Sequence, residues 1–184
     1  MENKGYTLIE VLVGVLLFTI IIGGPTGFFI SSVRSQRRIL LMNKMINNTS
    51  YNLEYLSRTL RMAAKDLDGS CISAKKNYEN PQNKESTIRF LNYNNICQEF
   101  SLSNGQLVEK KSTDNNKNNL GAPLSLTPEE LEISQLKFIL SGEDQDDDLQ
   151  PKVTIFLEIK KRGQAEPKIL IQTTVSQRNL DVSF

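Results

Sequence analysis

The sequence predicts an α+β chain: a long N-terminal α-helix, transmembrane in its first half, packed on a small antiparallel β-sheet head. Three observations carry this expectation. Residues 6–30 form a nearly uninterrupted apolar run, apolar residues then recur at helical spacing as far as Leu67, and beyond Asp68 the texture changes to short alternating runs separated by Asn, Gly and Pro. The expected divisions are a short leading segment at 1–5, a membrane helix at 6–30, an amphipathic continuation at 31–67 and a β-rich head at 68–184.

Composition sets the outer bounds. A chain of 184 residues with a formal net charge of +1 has room for one modest core and a long appendage. Such a balance lacks the basic field that recruits phosphate to a general nucleic-acid binder. Histidine is absent, which removes the commonest general base near neutral pH and the commonest transition-metal ligand. No cofactor is expected. The two cysteines, Cys71 and Cys97, read either as a disulfide in an oxidising compartment or as two small buried apolar residues. If bridged, they close a loop that the chain-entropy account rates at about 3 to 4 kcal/mol.

As a helix, residues 6–30 would reach roughly 37 Å, enough to cross a bilayer. A cleaved secretory signal is the competing reading, but the usual small-residue cleavage site is missing, with Gly23-Gly24 the nearest substitute. Glu10 stands out, because a carboxylate in hydrocarbon costs roughly 2 to 3 kcal/mol even on insertion scales. Gly23, Gly24 and Pro25, with Gly27, predict a kink or a locally melted turn at 21–27, since proline deletes the hydrogen bond to the carbonyl of residue 21. Beyond them Met42, Ile46, Thr49, Leu53, Leu56, Leu60, Ala63 and Leu67 recur in steps of four and three. That is one apolar face, with Asn52, Arg58 and Lys65 among the residues opposite. Arg34, Arg37 and Arg38 follow the membrane segment, and the positive-inside rule taken alone would place them in the cytoplasm.

In the second half, residues 86–92, 96–102 and 106–110 read as strands, with Asn104-Gly105 as a tight hairpin turn between the last two. Residues 112–121 read as a mobile polar loop. Thr127-Pro128 could cap and open one helical turn, limited by the strand at 133–140. Residues 152–160 alternate at the period of a strand, and 168–177 supply the last one, so the C-terminal part should be an antiparallel three-stranded meander.

Lys4-Gly5-Tyr6-Thr7-Leu8-Ile9-Glu10-Val11-Leu12, with the apolar run behind it, resembles the leader and processing site of type IV pilins and type II secretion pseudopilins. The resemblance implies that a prepilin peptidase cuts after Gly5, making 1–5 a leader peptide, and methylates the new amino terminus at Tyr6. It leaves Glu10 as the fifth mature residue. Tyr6 departs mildly from the phenylalanine usual there. The freed amine would lie four residues from Glu10 on one helical face, or on a neighbouring subunit, so Glu10 would serve as a docking carboxylate between apolar helices. The resemblance also implies a pilin-like lollipop with an exported head, the orientation opposite to the one the arginines suggest. Residues 53–63, 100–109 and 172–179 resemble, more loosely, J-type minor pseudopilins and related minor pilins.

The family's implied role is structural and not enzymatic: a minor pilin or pseudopilin of a type IV pilus, competence or type II secretion filament that helps to initiate or cap the filament tip. Expected partners are other minor and major pilins, the prepilin peptidase, an inner-membrane assembly platform, and the membrane before assembly. The expected location is a single-pass membrane protein with an extracytoplasmic head, then a cell-surface or periplasmic filament. The alternatives are a signal-anchored surface binding domain that never polymerises, or a DNA-binding tip subunit of a competence pilus. DNA capture is disfavoured because Lys75-Lys76, Lys110-Lys111 and Lys160-Lys161-Arg162 lack an interleaved aromatic platform. Asp144, Asp146 and Asp148 imitate the start of a calcium loop, but Leu149 and Ile155 stand where its glycine and glutamate belong, so a solvated acidic loop is the expectation.

Overall fold

The apolar run and the periodic stripe behind it form one helix, α1, Leu8–Arg61. The structure, a computed structural model, describes residues 5–144 and 149–178. It divides into two units, Met1–Asn43 and Lys44–Phe184, and α1 contributes to both. In the first unit almost every side chain of α1 is exposed, the large apolar ones included. Of the expected kink or locally melted turn, the melted turn is not found: Gly23, Gly24, Pro25 and Gly27 all lie within the helix. Pro25 forfeits only one ladder bond, and the Thr26 hydroxyl donates to the Ile22 carbonyl at 2.7 Å beside the gap.

In the second unit the end of α1 buries Met45, Thr49, Asn52, Leu56 and Leu60. This stripe is rotated from the expected one. Met42, Ile46 and Leu67 are exposed, while Asn52 is buried with its amide donating to Asn48 Oδ1 at 3.2 Å. Two antiparallel sheets complete the unit. The first has the order β1 (Thr87–Leu91), β2 (Cys97–Ser103), β3 (Gln106–Lys111), β4 (Leu124–Ser125), and the second β5 (Leu131–Ser141), β6 (Lys152–Lys161), β7 (Lys168–Ser176). The second is the expected meander, with Val153, Ile155, Leu157 and Ile159 buried along one face of β6. The β5 amides of Ile133 and Phe138 reach the carbonyls of Gly105 and Glu85 at 2.8 and 2.7 Å, which ties the two sheets together.

Asn104 and Gly105 close the β2–β3 hairpin with φ of 50° and 72°, the backbone that a type I′ turn requires. Thr127 and Pro128 make only a turn, not a helix. The Thr127 hydroxyl accepts from the Leu107 amide at 3.2 Å and is occupied by β3 instead of capping. Residues 112–121 are also more structured than expected. A short 3-10 helix at Lys117–Asn119 is capped by Asn116, and Asp114 accepts from the Asn116 amide and the Asn119 side chain at 2.9 and 2.7 Å.

α1 stops at Arg61, six residues short of the expected end, because tertiary partners take its last carbonyls. The Tyr78 hydroxyl donates to Leu60 O at 2.7 Å and the Arg178 amide to Arg61 O at 2.8 Å. The chain then turns around Asp66. Its Oδ1 accepts from the amides of Asp68, Gly69 and Ser70, and its Oδ2 from those of Cys71 and Ile72 at 2.7 and 3.0 Å. Gly69 permits this loop, with φ of 74° and a Cβ position only 3.2 Å from Ala74. The result places Cys71 opposite Cys97 at a Cα separation of 5.3 Å, where the two form a disulfide.

Aromatic packing joins α1 to the first sheet. Phe100 of β2 meets Tyr55 edge-on at 6.0 Å and Phe90 at 5.9 Å. Tyr55 also donates to the buried Glu109 at 2.6 Å, and Gln98 and Lys111 supply two further donors to that carboxylate, at 2.6 and 3.2 Å. Burial pushes the Tyr55 hydroxyl up, and Glu109 adds to the effect. Burial opposes the charge of Lys111, but hydrogen bonds to Tyr55 and Glu109 outweigh it and raise that pKa. Losing one partner of such a buried charge typically costs about 3 to 5 kcal/mol.

The Asp66 turn carries a pH signature. Burial would raise its carboxyl, but the amides of Ile72, Cys71, Gly69 and Ser70 together hold it below the ordinary value. The stability it contributes is therefore complete above the unfolded-state value near pH 3.9 and is lost as pH falls through the lowered folded value. Urea unfolding of Asp66→Asn at pH 7 should show a loss of about 1 to 3 kcal/mol. The gap to the unsubstituted chain should narrow below about pH 4; a gap independent of pH would contradict the role assigned to the ionised carboxylate.

Candidate processing and assembly site

Glu10 is the only ionisable side chain between Leu8 and Ile30. It lies in the first turn of α1, three residues after Thr7, and the two residues close on each other. The Thr7 hydroxyl accepts from the Glu10 amide at 3.4 Å, while Glu10 Oε2 accepts from the Thr7 amide at 3.3 Å and from its hydroxyl at 3.2 Å. This is a capping box. The Thr7 amide, which the helix start would leave orphaned, finds the carboxylate, and the Glu10 amide is shared between the Thr7 hydroxyl and the Thr7 carbonyl, the latter at 3.1 Å. The carboxylate sits at the positive end of the helix dipole. The Thr-x-x-Glu spacing is the sequence signal for the box.

Gly5 and Tyr6 precede the cap in chain without regular secondary structure. Both are exposed, with nothing within 4 Å of a Cβ placed on Gly5. The Gly5–Tyr6 peptide bond is thus accessible, two residues before α1 begins, and a protease can take it in extended form without unwinding the helix. Lys4 lies outside the described residues. Downstream, the polar groups of the apolar stretch are satisfied within the helix: Thr19 donates to Leu16 O at 2.8 Å, as Thr26 does to Ile22 O. α1 is long and apolar enough to cross a membrane, and its most apolar window has no buried residue. It fits a membrane anchor near the N-terminus.

The remaining candidate residues sit in the second unit. Asp144 pairs with Lys76, Nζ to Oδ1 at 3.2 Å. Asp146 and Asp148 lie outside the described residues, and among the described residues no group of three or more Asp, Glu, Cys or His side chains is arranged to hold a metal ion. The basic pairs are largely engaged: Lys110 with Glu99 at 3.7 Å, Lys111 with Glu109, Lys160 with Glu132 at 3.6 Å, and the Arg162 guanidinium with the Glu129 carbonyl at 2.8 Å. Glu99 is more firmly held by Arg89, whose Nε and terminal nitrogen reach one oxygen at 3.0 and 2.6 Å.

Residues 1–24 match the family model of the prokaryotic N-terminal methylation motif. The match takes in Gly5, Tyr6, Thr7 and Glu10 and ends just before Pro25. Among curated proteins and among solved structures, nothing matches the chain.

The capping box makes a separable prediction. Thr7→Ala should cost the helix start about 1 kcal/mol, so the amide of Glu10 should exchange roughly fivefold faster in detergent micelles. Exchange at that amide unchanged from the unsubstituted chain would show that the hydroxyl does not cap.

Proposed function

We propose that this chain is a type IV pilin-like structural subunit, cut after Gly5 by a prepilin peptidase, stored in a membrane through α1 and then drawn into a filament. The observation that carries this reading is the methylation motif at 1–24, lying over an exposed Gly5–Tyr6 bond and a capped apolar helix. The motif implies peptidase processing and assembly with other pilins. The Cys71–Cys97 disulfide supports an extracytoplasmic head, since such bonds persist in oxidising compartments. It favours the orientation opposite to the one suggested by Arg34, Arg37 and Arg38.

In this reading, cleavage creates an ammonium at Tyr6 and gives Glu10 a cationic partner, on its own chain or on the next. The finer assignment is a minor pilin or pseudopilin near the filament tip, working with an assembly platform. Its support is the likeness of residues 53–63, 100–109 and 172–179 to J-type minor pseudopilins. A signal-anchored domain that never polymerises is the second reading, and one observation favours it: the capping box already gives Glu10 Oε2 two donors within its own chain.

Mass spectrometry of the chain isolated from its native membrane separates the two. The pilin reading expects a mature N-terminus at Tyr6 bearing a methyl group. An intact Met1, or a cut near Gly24, would overturn it in favour of the anchor.

A further inference from the structure

Arg58, Arg61 and Arg178 line one open groove, with Glu54, Ser57 and Met62 completing its walls. The fold assembles them from two elements. Arg58 and Arg61 occupy the last turn of α1, and the end of β7 is fastened there: the Arg178 amide donates to Arg61 O, and the buried Gln177 side chain donates to Ala63 O at 2.7 Å. The helix dipole accounts for cations at positions 58 and 61. It does not account for a third arriving from another strand.

Glu54 is the one acid in the groove and is spent on Arg58 at 2.9 Å, where the two side chains are each 72% exposed. No acceptor is described for the guanidiniums of Arg61 and Arg178. The groove therefore presents an excess of positive charge on planar donors suited to carboxylates, beside the thioether of Met62. Arginine and methionine are both enriched in protein interfaces.

The same chain carries the complement. Residues 143–148 read Glu-Asp-Gln-Asp-Asp-Asp, five carboxylates in six positions, between β5 and β6. Lys76 neutralises only Asp144 among the acids described there. We infer that the groove of Arg58, Arg61 and Arg178 is a docking site for the acidic 143–148 segment of a second copy of this chain. Two different patches meet in such a contact, so it is head-to-tail, the kind that builds rings or open filaments. The inference stands apart from the pilin reading, because it concerns the 44–184 unit and not the processed N-terminus.

The test uses the full-length chain in neutral detergent and a fluorescent peptide of residues 141–151, read by anisotropy at low salt. Binding should weaken about tenfold in Arg61→Gln/Arg178→Gln, as the loss of two exposed ion pairs allows, and should fade as salt shortens the screening length. Lys137→Gln/Lys168→Gln, which removes the same charge elsewhere, should bind as the unsubstituted chain does. Arg61→Glu/Arg178→Glu should lose the acidic peptide and take up a version with lysine at each acidic position, a gain that misfolding cannot imitate. Absence of binding, equal weakening by the Lys137/Lys168 pair, or failure of the charge-swapped pair would each overturn the inference.

Discussion

A carboxylate placed in an apolar helix has to be held by something, and the organisation of the N-terminal unit follows from how Glu10 is held. Left alone in hydrocarbon it would cost roughly 2 to 3 kcal/mol. Thr7 offsets part of that by giving the acid a local amide, a hydroxyl and the positive end of α1. The two contacts to the carboxylate, at 3.3 and 3.2 Å, both fall on Oε2 and are long for charge-assisted bonds, so the carboxylate keeps unused acceptor capacity. A cation delivered next to it would find a partner already fixed in direction by the helix start. The proposed cleavage at Gly5–Tyr6 would generate such a cation one residue before Thr7. In the proposed function the capping box and the docking role would be successive states of one group: the first would make a stored helix tolerable, and the second would give apolar helices a register.

The second unit solves a different problem, that of ending a long helix and starting a β-rich body within a few residues. Asp66 does this by gathering five backbone amides, so the turn after α1 is set by one side chain and not by many weak loop contacts. The same turn delivers Cys71 to Cys97 and so ties the helix exit to the start of β2. Tyr78 and Arg178 close the last carbonyls of α1 from the other side. Farther up, Tyr55 reaches from α1 to Glu109 on β3, so the helix and the first sheet share a hydrogen-bonded anchor as well as an aromatic one.

Much of this architecture was legible in the sequence, for identifiable reasons. The apolar run at 6–30 and the strands of the meander are period signals that depend on neighbours in sequence, and Asn104-Gly105 prescribes its own backbone. What escaped depended on distant partners. The end of α1 at Arg61 is decided by Tyr78 and Arg178. β4 is two residues long and exists through pairing with β3. At the candidate site Gly5, Tyr6 and Glu10 fall within the matched motif, whose signal is local spacing. The Thr7 cap was legible in principle, whereas the arginine groove was not, since Arg178 joins Arg58 and Arg61 only through the fold.

The central claim is that the Glu10 charge serves assembly beyond capping, and one measurement reaches it directly: the fraction of processed chain recovered in sheared filaments for Glu10→Ala and Thr7→Ala beside the unsubstituted protein. Breaking a buried pair worth about 3 to 5 kcal/mol should deplete Glu10→Ala from filaments at least a hundredfold, while Thr7→Ala is incorporated nearly as before. Equal incorporation of Glu10→Ala, or equal depletion of both variants, would reduce Glu10 to a helix cap and contradict the account.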